Sequence, residues 1–204
     1  SNSVDHNFIT TDPSILKKQK IKIKNPHFLF VPVDKNIECL NVFSQKPLKD
    51  IFYAMSHGVN RAILKKGKSD SRIHFLDNLT KKLNGINYDF YGFKDKEPIW
   101  GNEFYNALLN SKMGLNLSRG LPTKYYTSNR IASLMGNGLL TFIDKKTQLN
   151  DFFNKNEIIC YDNINDLADK IKFFKNRNEL RKRIARNGKK KYFTLFNELR
   201  ITKY

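Results

Sequence analysis

From Ser118 to Arg130 the chain reads Ser-Arg-Gly-Leu-Pro-Thr-Lys-Tyr-Tyr-Thr-Ser-Asn-Arg, joining the end of an apolar run to the start of a helical pattern. Unpaired backbone N–H groups at a helix start, with the helix dipole behind them, attract an anion. Thr127 or Ser128 can cap that helix, Asn129 adds a further polar group, and Arg119, Lys124 and Arg130 can make charge-assisted contacts to a diphosphate. An ordinary capped helix with three solvated cations would use the same residues. The helix pattern ends on Gly136-Asn-Gly138. Glycine just past a helix end is a common stop, and that structural role is preferred here to one in a ligand cleft.

A second basic segment, Ser56 to Lys68, follows the apolar run Ile51–Met55. His57 and Arg61, near the strand end, are its ligand candidates, whereas Lys65 and Lys66 read as solvated loop lysines. Gly67-Lys68-Ser69 lacks the first glycine of a phosphate-binding P-loop at the required spacing, so a P-loop is rejected. Trp100 can stack on a base or sugar, or plug the top of the core. Asp144 follows a strand end and can accept from a hydroxyl or sit in a turn. No Ser-His-Asp ordering, HExxH pattern or close carboxylate pair stands out. Of His6, His27, His57 and His74, only His57 falls where ligand chemistry is expected.

These residues need elements to position them. From residue 51 onward, short apolar runs (Ile51–Met55, Tyr88–Tyr91, Met113–Leu117, Leu139–Ile143, Ile158–Tyr161) alternate with segments of helical spacing. Helical spacing is read at 71–83, 102–109, 127–136 and 149–153, and in a basic tail from Leu167 to Phe196 with a break near Asn187-Gly188. That alternation predicts an α/β fold: a Rossmann-like parallel sheet with helices on both faces. Ligands of such sheets bind beyond the carboxyl ends of the strands, where the candidate residues cluster. Before residue 51, Asn7–Thr10 and Phe28–Val33 read as short extended runs, with a helix opening at Asp12-Pro13.

Composition bounds the partner. Lys and Arg exceed Asp and Glu by 37 to 19, a formal net charge of +18, which favours an anionic partner: nucleic acid, anionic lipid or a phosphate-bearing small molecule. The lysines are spread along the chain, so most of that charge reads as background. Cys39 and Cys160 stand far apart without metal-ligand spacing, which argues against a disulfide framework or zinc site and fits a reducing, cytoplasmic setting. No run approaches the ~18 apolar residues of a transmembrane helix. The chain begins with Ser1 and reads as part of a longer protein.

Met113-Gly-Leu-Asn-Leu-Ser-Arg119, the helix from Thr127, Gly138-Leu-Leu-Thr-Phe142 and Glu157-Ile-Ile-Cys-Tyr-Asp-Asn-Ile-Asn-Asp-Leu167 succeed one another with short spacers, before the basic segment Leu180–Gly188. This ordered set resembles the C-terminal, donor-binding domain of GT-B glycosyltransferases, in the group-1 and spore-maturation glycosyltransferase-like bacterial family. The resemblance covers residues 50 to 200. It implies the C-terminal half of a GT-B fold, divided as residues 1–49 (trailing end of an N-terminal domain and linker), 50–190 (nucleotide-sugar-binding domain) and 191–204 (C-terminal helix). It implies glycosyl transfer from a nucleotide-sugar, with the diphosphate near the start of the Thr127 helix and the base near the loop from Tyr91 to Trp100.

The donor-binding residues it points to are Arg61, Arg119, Lys124, Thr127, Ser128, Asn129, Arg130 and Ser133, with His57, Trp100 and Asp144 as base or sugar contacts. The family's helix carries a Glu toward the donor where this chain has Ser133, which can hydrogen-bond but supplies no carboxylate. No bound cofactor or metal is implied: helix dipole and cations neutralise the leaving diphosphate. The implied acceptor is a glycan or lipid-linked glycan at a cytoplasmic location, with peripheral contact to the inner membrane. Nucleic acid is not an expected partner. The alternative reading is a basic nucleic-acid-binding α/β module that uses Lys and Arg from 170 to 191 to track phosphates.

Overall fold

Strands buried on both faces read as continuous apolar runs, and such runs form the centre of this protein. In the computed structural model, which describes residues 4–56 and 70–202, five of them build one parallel sheet. They are β3 (Lys49–Ala54), β4 (Tyr88–Tyr91), β5 (Ser111–Asn116), β6 (Leu140–Asp144) and β7 (Ile159–Tyr161). Their order across the sheet is β4-β3-β5-β6-β7, every pairing parallel. The chain goes from β3 out to β4, then returns past β3 to β5. The direction of winding therefore reverses between β3 and β5, and their carboxyl ends form the crevice where α/β sheets hold ligands.

Alternation of side chains assigns the two faces. Ile51, Tyr53, Met113, Leu115, Leu140 and Phe142 meet α2 (Ser71–Thr80) and α5 (Ile164–Lys175) through Leu76, Leu79, Leu167 and Ile171. Phe52 and Ala54 face the other way, toward α3 (Gly101–Leu109) and α4 (Arg130–Gly136), through Ala107, Leu108 and Leu134. Helices thus cover both faces, as the alternation of patterns predicts. On that second face Gly114 lets the sheet approach α4, since a Cβ there would stand 2.5 Å from a Leu134 methyl.

Beyond α4 the backbone forms a Schellman stop. Gly138, at φ +81°, donates its N–H to Met135 O, and Leu139 donates to Leu134 O. The Gly136-Asn-Gly138 segment is a helix terminator, as read from sequence.

Four local expectations are corrected. The Phe28–Val33 run is not one strand: β2 spans Pro26–Phe28, parallel to β1 (Asn7–Ile9), Pro32 interrupts the run, and Val33 makes only an isolated bridge to Asn197. α1 (Ser14–Lys18) lies between them, with Asp12 accepting from the Ser14 N–H. Leu149–Asp151 is a single 3-10 turn rather than an α-helix. α6 (Asn178–Phe196) runs unbroken through Gly188, before the short α7 (Glu198–Ile201). Gly188 is there for space: a Cβ on it would fall 2.2 Å from Glu157 O. Finally, Trp100 is 62% exposed and does not plug the core.

Residues 28–33 are bound to the sheet domain by a third cluster, in which Phe30, Val31 and Val33 meet Ile131, Met135 and Tyr192. The Tyr192 hydroxyl donates to Val31 O at 2.7 Å. Among the described residues, no helix is long and apolar enough to cross a membrane.

Candidate functional site

The crevice at the ends of β3 and β5 is occupied by one guanidinium. Arg130, the first residue of α4, donates from Nε to Ala54 O at 2.5 Å, and from Nη1 to Leu117 O at 3.3 Å and Ser128 Oγ at 2.9 Å. Its guanidinium carbon lies 4.5 Å from the Tyr53 ring centroid, a cation–π contact. Two strand-end carbonyls, a hydroxyl and an aromatic face thus fix the group. Among the described residues no carboxylate pairs with it. Burial pulls the Arg130 pKa below its ordinary value, and the Arg72 guanidinium adds to that pull while Tyr53 opposes it. An arginine remains protonated at neutral pH even so. The result is a positive charge with no carboxylate partner among the described residues, held in partial burial, where it attracts an anion more strongly than it would in bulk water.

The polar residues before Arg130 differ in role from the sequence expectation. Neither Thr127 nor Ser128 caps α4: the capping position is Asn129, whose side chain makes no capping bond. Ser128 Oγ instead donates to Asn116 Oδ1 at 2.6 Å, continuing a polar row from Arg130 to the end of β5. Thr127 is 2% exposed and its hydroxyl has no hydrogen-bond partner. With seven residues in α4, the fixed charge of Arg130 outweighs a short helix's dipole as the attraction for an anion.

Trp100, Thr127, Ser128, Asn129, Arg130 and Ser133 all line one cavity of about 840 Å³, roofed by α3 on the β4 side. Asp144 lies apart from them, in a smaller cavity of about 370 Å³ over β5, β6 and β7, and its Oδ1 also accepts from the Lys146 N–H at 2.8 Å. Arg119 and Lys124 line neither cavity. Lys124 makes a 2.7 Å ion pair with Asp12, which its hydrogen bond lowers to a pKa of about 2. Arg119 lies 3.7 Å from the fully buried carboxylate of Asp70. His57 and Arg61 fall outside the described residues.

The sequence reading missed Asn116, Tyr126 and Tyr161. Tyr126 lines both cavities, and Asn116 and Tyr161 line the smaller one. Asn116 carried a legible signal, a lone polar residue at the end of an apolar strand where an α/β ligand site is expected. Tyr161 carried none, because a tyrosine in a buried strand reads as core.

A parallel sheet with this winding, covered by helices and carrying a cationic crevice at its reversal, is a Rossmann-like α/β domain. A family profile described as glycosyl transferase-like matches residues 71–198, more than half of the chain, and the chain belongs to that family. Among solved structures it is similar to a TarM mutant of S. aureus in complex with fondaparinux, alpha-GlcNAc-glycerol and UDP, at 16% identity and TM-score 0.68, covering 99% of this chain and 43% of that one. A second TarM crystal structure gives 14% identity and TM-score 0.65, covering 99% of this chain and 43% of that one. Sucrose-phosphate synthase from Thermosynechococcus elongatus gives 13% and 0.59, covering 96% of this chain and 55% of that one. The chain therefore spans about half the length of these structures, and at such identities the likeness is one of fold. No curated protein sequence matches it.

Proposed function

We propose that this chain binds the nucleoside-diphosphate sugar of a glycosyl transfer reaction, with the diphosphate seated on Arg130. The observation that carries this reading is the Arg130 guanidinium itself, held by Ala54 O, Leu117 O and Ser128 Oγ without a carboxylate partner among the described residues. A structural arginine is ordinarily neutralised, and a buried charge without a partner is costly. A phosphate oxygen in the crevice supplies the missing charge. Trp100, exposed in the same cavity, offers an aromatic face to the base.

The family supports the reaction class, and the fold neighbours support the ligand class, since one of them holds UDP and alpha-GlcNAc-glycerol. The diphosphate leaves with its charge compensated by fixed cations, which lowers the barrier electrostatically. The acceptor in this reading is a glycan or a lipid-linked glycan.

Calorimetric titration with UDP, ADP and GDP tests the reading. Arg130→Ala is expected to weaken binding of whichever diphosphate the native chain takes by roughly tenfold or more, the loss of one charge-assisted contact of about 1.5–3 kcal/mol. Unchanged affinity in the variant contradicts it.

A further inference from the structure

Between α1 and β2 the lysines crowd together: five of the eight residues from Lys17 to Lys24 are lysine, in the order Lys-Lys-Gln-Lys-Ile-Lys-Ile-Lys. All five are exposed. Lys24 lies 3.9 Å from the exposed carboxylate of Asp5, a surface pair that contributes little. Lys17, Lys18, Lys20 and Lys22 make no ion pair among the described residues. The basic helix α6 differs, because several of its cations are engaged by the fold. Arg181 and Lys189 donate to the backbone carbonyls of Lys112 and Leu40, and the Arg186 guanidinium covers the Phe43 ring.

Apolar groups are set among these charges. Ile21 is 46% exposed. With Leu16 and Ile23 it lines an open hollow of about 580 Å³, which Lys17, Lys22 and Lys24 also line and no acidic residue does. α1 ends in a Schellman stop: Lys20 N–H donates to Lys17 O, and Ile21 N–H to Leu16 O. Lys20 takes the left-handed position of that stop, at φ +56°, where glycine is the residue free of strain. A lysine there adds charge at a conformational cost, and the turn sets it beside the exposed Ile21.

Exposed lysines interleaved with exposed aliphatic groups fit a surface that is anionic on top and apolar beneath. Lysine stems lie along such a boundary while their ammonium groups stay with the phosphates. Nucleic acid offers phosphates but favours arginine and aromatic platforms, and the Lys17–Lys24 segment contains neither. We propose that this segment docks the protein on a bilayer surface rich in anionic lipid, with Ile21 entering the headgroup boundary. The segment is anchored beside the crevice: Thr11 Oγ1 and the Asp12 N–H both donate to Lys124 O, at 2.8 and 3.2 Å, and Thr10 lines the larger cavity. Docking here does not depend on a diphosphate at Arg130.

Co-sedimentation of the 204-residue chain with phosphatidylcholine vesicles, plain or with about one-third phosphatidylglycerol, is the test. Net charge alone draws so basic a chain to anionic vesicles, so two variants with equal loss of charge are compared. One replaces Lys17, Lys18, Lys20 and Lys22 by Gln, and the other replaces Lys182, Arg183, Lys190 and Lys191 of α6 by Gln. A lysine at an anionic surface contributes roughly fivefold in affinity. The first variant is expected to bind anionic vesicles at least about twentyfold more weakly than the native chain, and the second to stay within about threefold of it. Ile21→Ser, which leaves the charge unchanged, is expected to lose roughly fivefold. Equal losses in the two charge variants, native binding by Ile21→Ser, or equal binding to plain vesicles overturn the proposal. Binding of duplex DNA through the same four lysines, with vesicles left unbound, overturns it as well. Thermal melting of each variant is the control for folding. Should the first variant fail to fold, Lys20→Gly, which relieves the left-handed backbone, reads the same surface. It is expected to melt at or above the native temperature and to bind anionic vesicles several-fold more weakly, and native binding by it overturns the proposal.

Discussion

Arg130 and Arg72 influence one another's charge yet have opposite surroundings, and the proposed binding role of Arg130 rests on that contrast. Arg72 donates from Nε to both carboxylate oxygens of Asp70, at 3.0 and 3.1 Å, and from Nη2 at 2.6 Å. Asp70 also caps α2 by accepting from the Arg72 N–H at 3.0 Å. Burial raises the Asp70 pKa, but the Arg72 hydrogen bonds outweigh it and hold the carboxyl below its ordinary 3.8. The folded pKa is thus depressed, so the stabilisation is present above pH 3.8 and is lost as pH falls through the lower folded value. Asp70→Ala removes a cap and leaves a buried guanidinium short of its carboxylate. The expected cost is on the order of 3 kcal/mol, read as a shift in the urea midpoint, and a shift under 1 kcal/mol would contradict it.

None of this pairing is legible in sequence, because Asp70-Ser-Arg72 looks like any helix start. Arg130 was legible as a candidate from its position after a strand and before an apolar helix. What could not be read was whether each cation had a partner. Lys124 and Arg130 stand in the same segment, yet Lys124 is matched by Asp12, 112 positions away in the chain, and Arg130 by no carboxylate among the described residues.

Strand and helix types followed from periodicity because the sheet is buried on both faces and its runs are short and apolar. The errors came where a local signal had two physical causes. Asn187-Gly188 carries the composition of a helix stop, yet α6 passes through it. The reason is tertiary: the helix must approach the turn that ends at Glu157, and only a residue without a side chain fits. Gly188→Ala tests which effect dominates. Helix propensity alone favours alanine by about 1 kcal/mol. Overpacking against a backbone carbonyl 2.2 Å away costs about 1–3 kcal/mol or more, since that backbone must move. The variant is expected to melt several degrees lower than the native chain, and a higher melting temperature would show that propensity wins. Gly136-Asn-Gly138 carries a similar composition and does end its helix, because Gly138 takes a left-handed φ that Gly188 does not.

At the scale of the molecule, the reversal of strand order between β3 and β5 determines where chemistry can occur. It opens a crevice at the strand ends, α4 delivers Arg130 into it, and a cavity lies on either side. The fold class was readable from the alternation of patterns, and the family from the order of motifs. The strand order was not, since it depends on which side of β3 the chain returns. In the sequence the basic segment from Ser56 to Lys68 follows β3, and on that order alone His57 and Arg61, outside the described residues, remain candidates. The most direct test is the crystallographic position of a nucleoside diphosphate soaked into this chain. The phosphates are expected within hydrogen-bond reach of the Arg130 guanidinium, about 3 Å, at the ends of β3 and β5. A diphosphate bound elsewhere on the sheet domain, with Arg130 making only its bonds to Ala54, Leu117 and Ser128, would contradict the account.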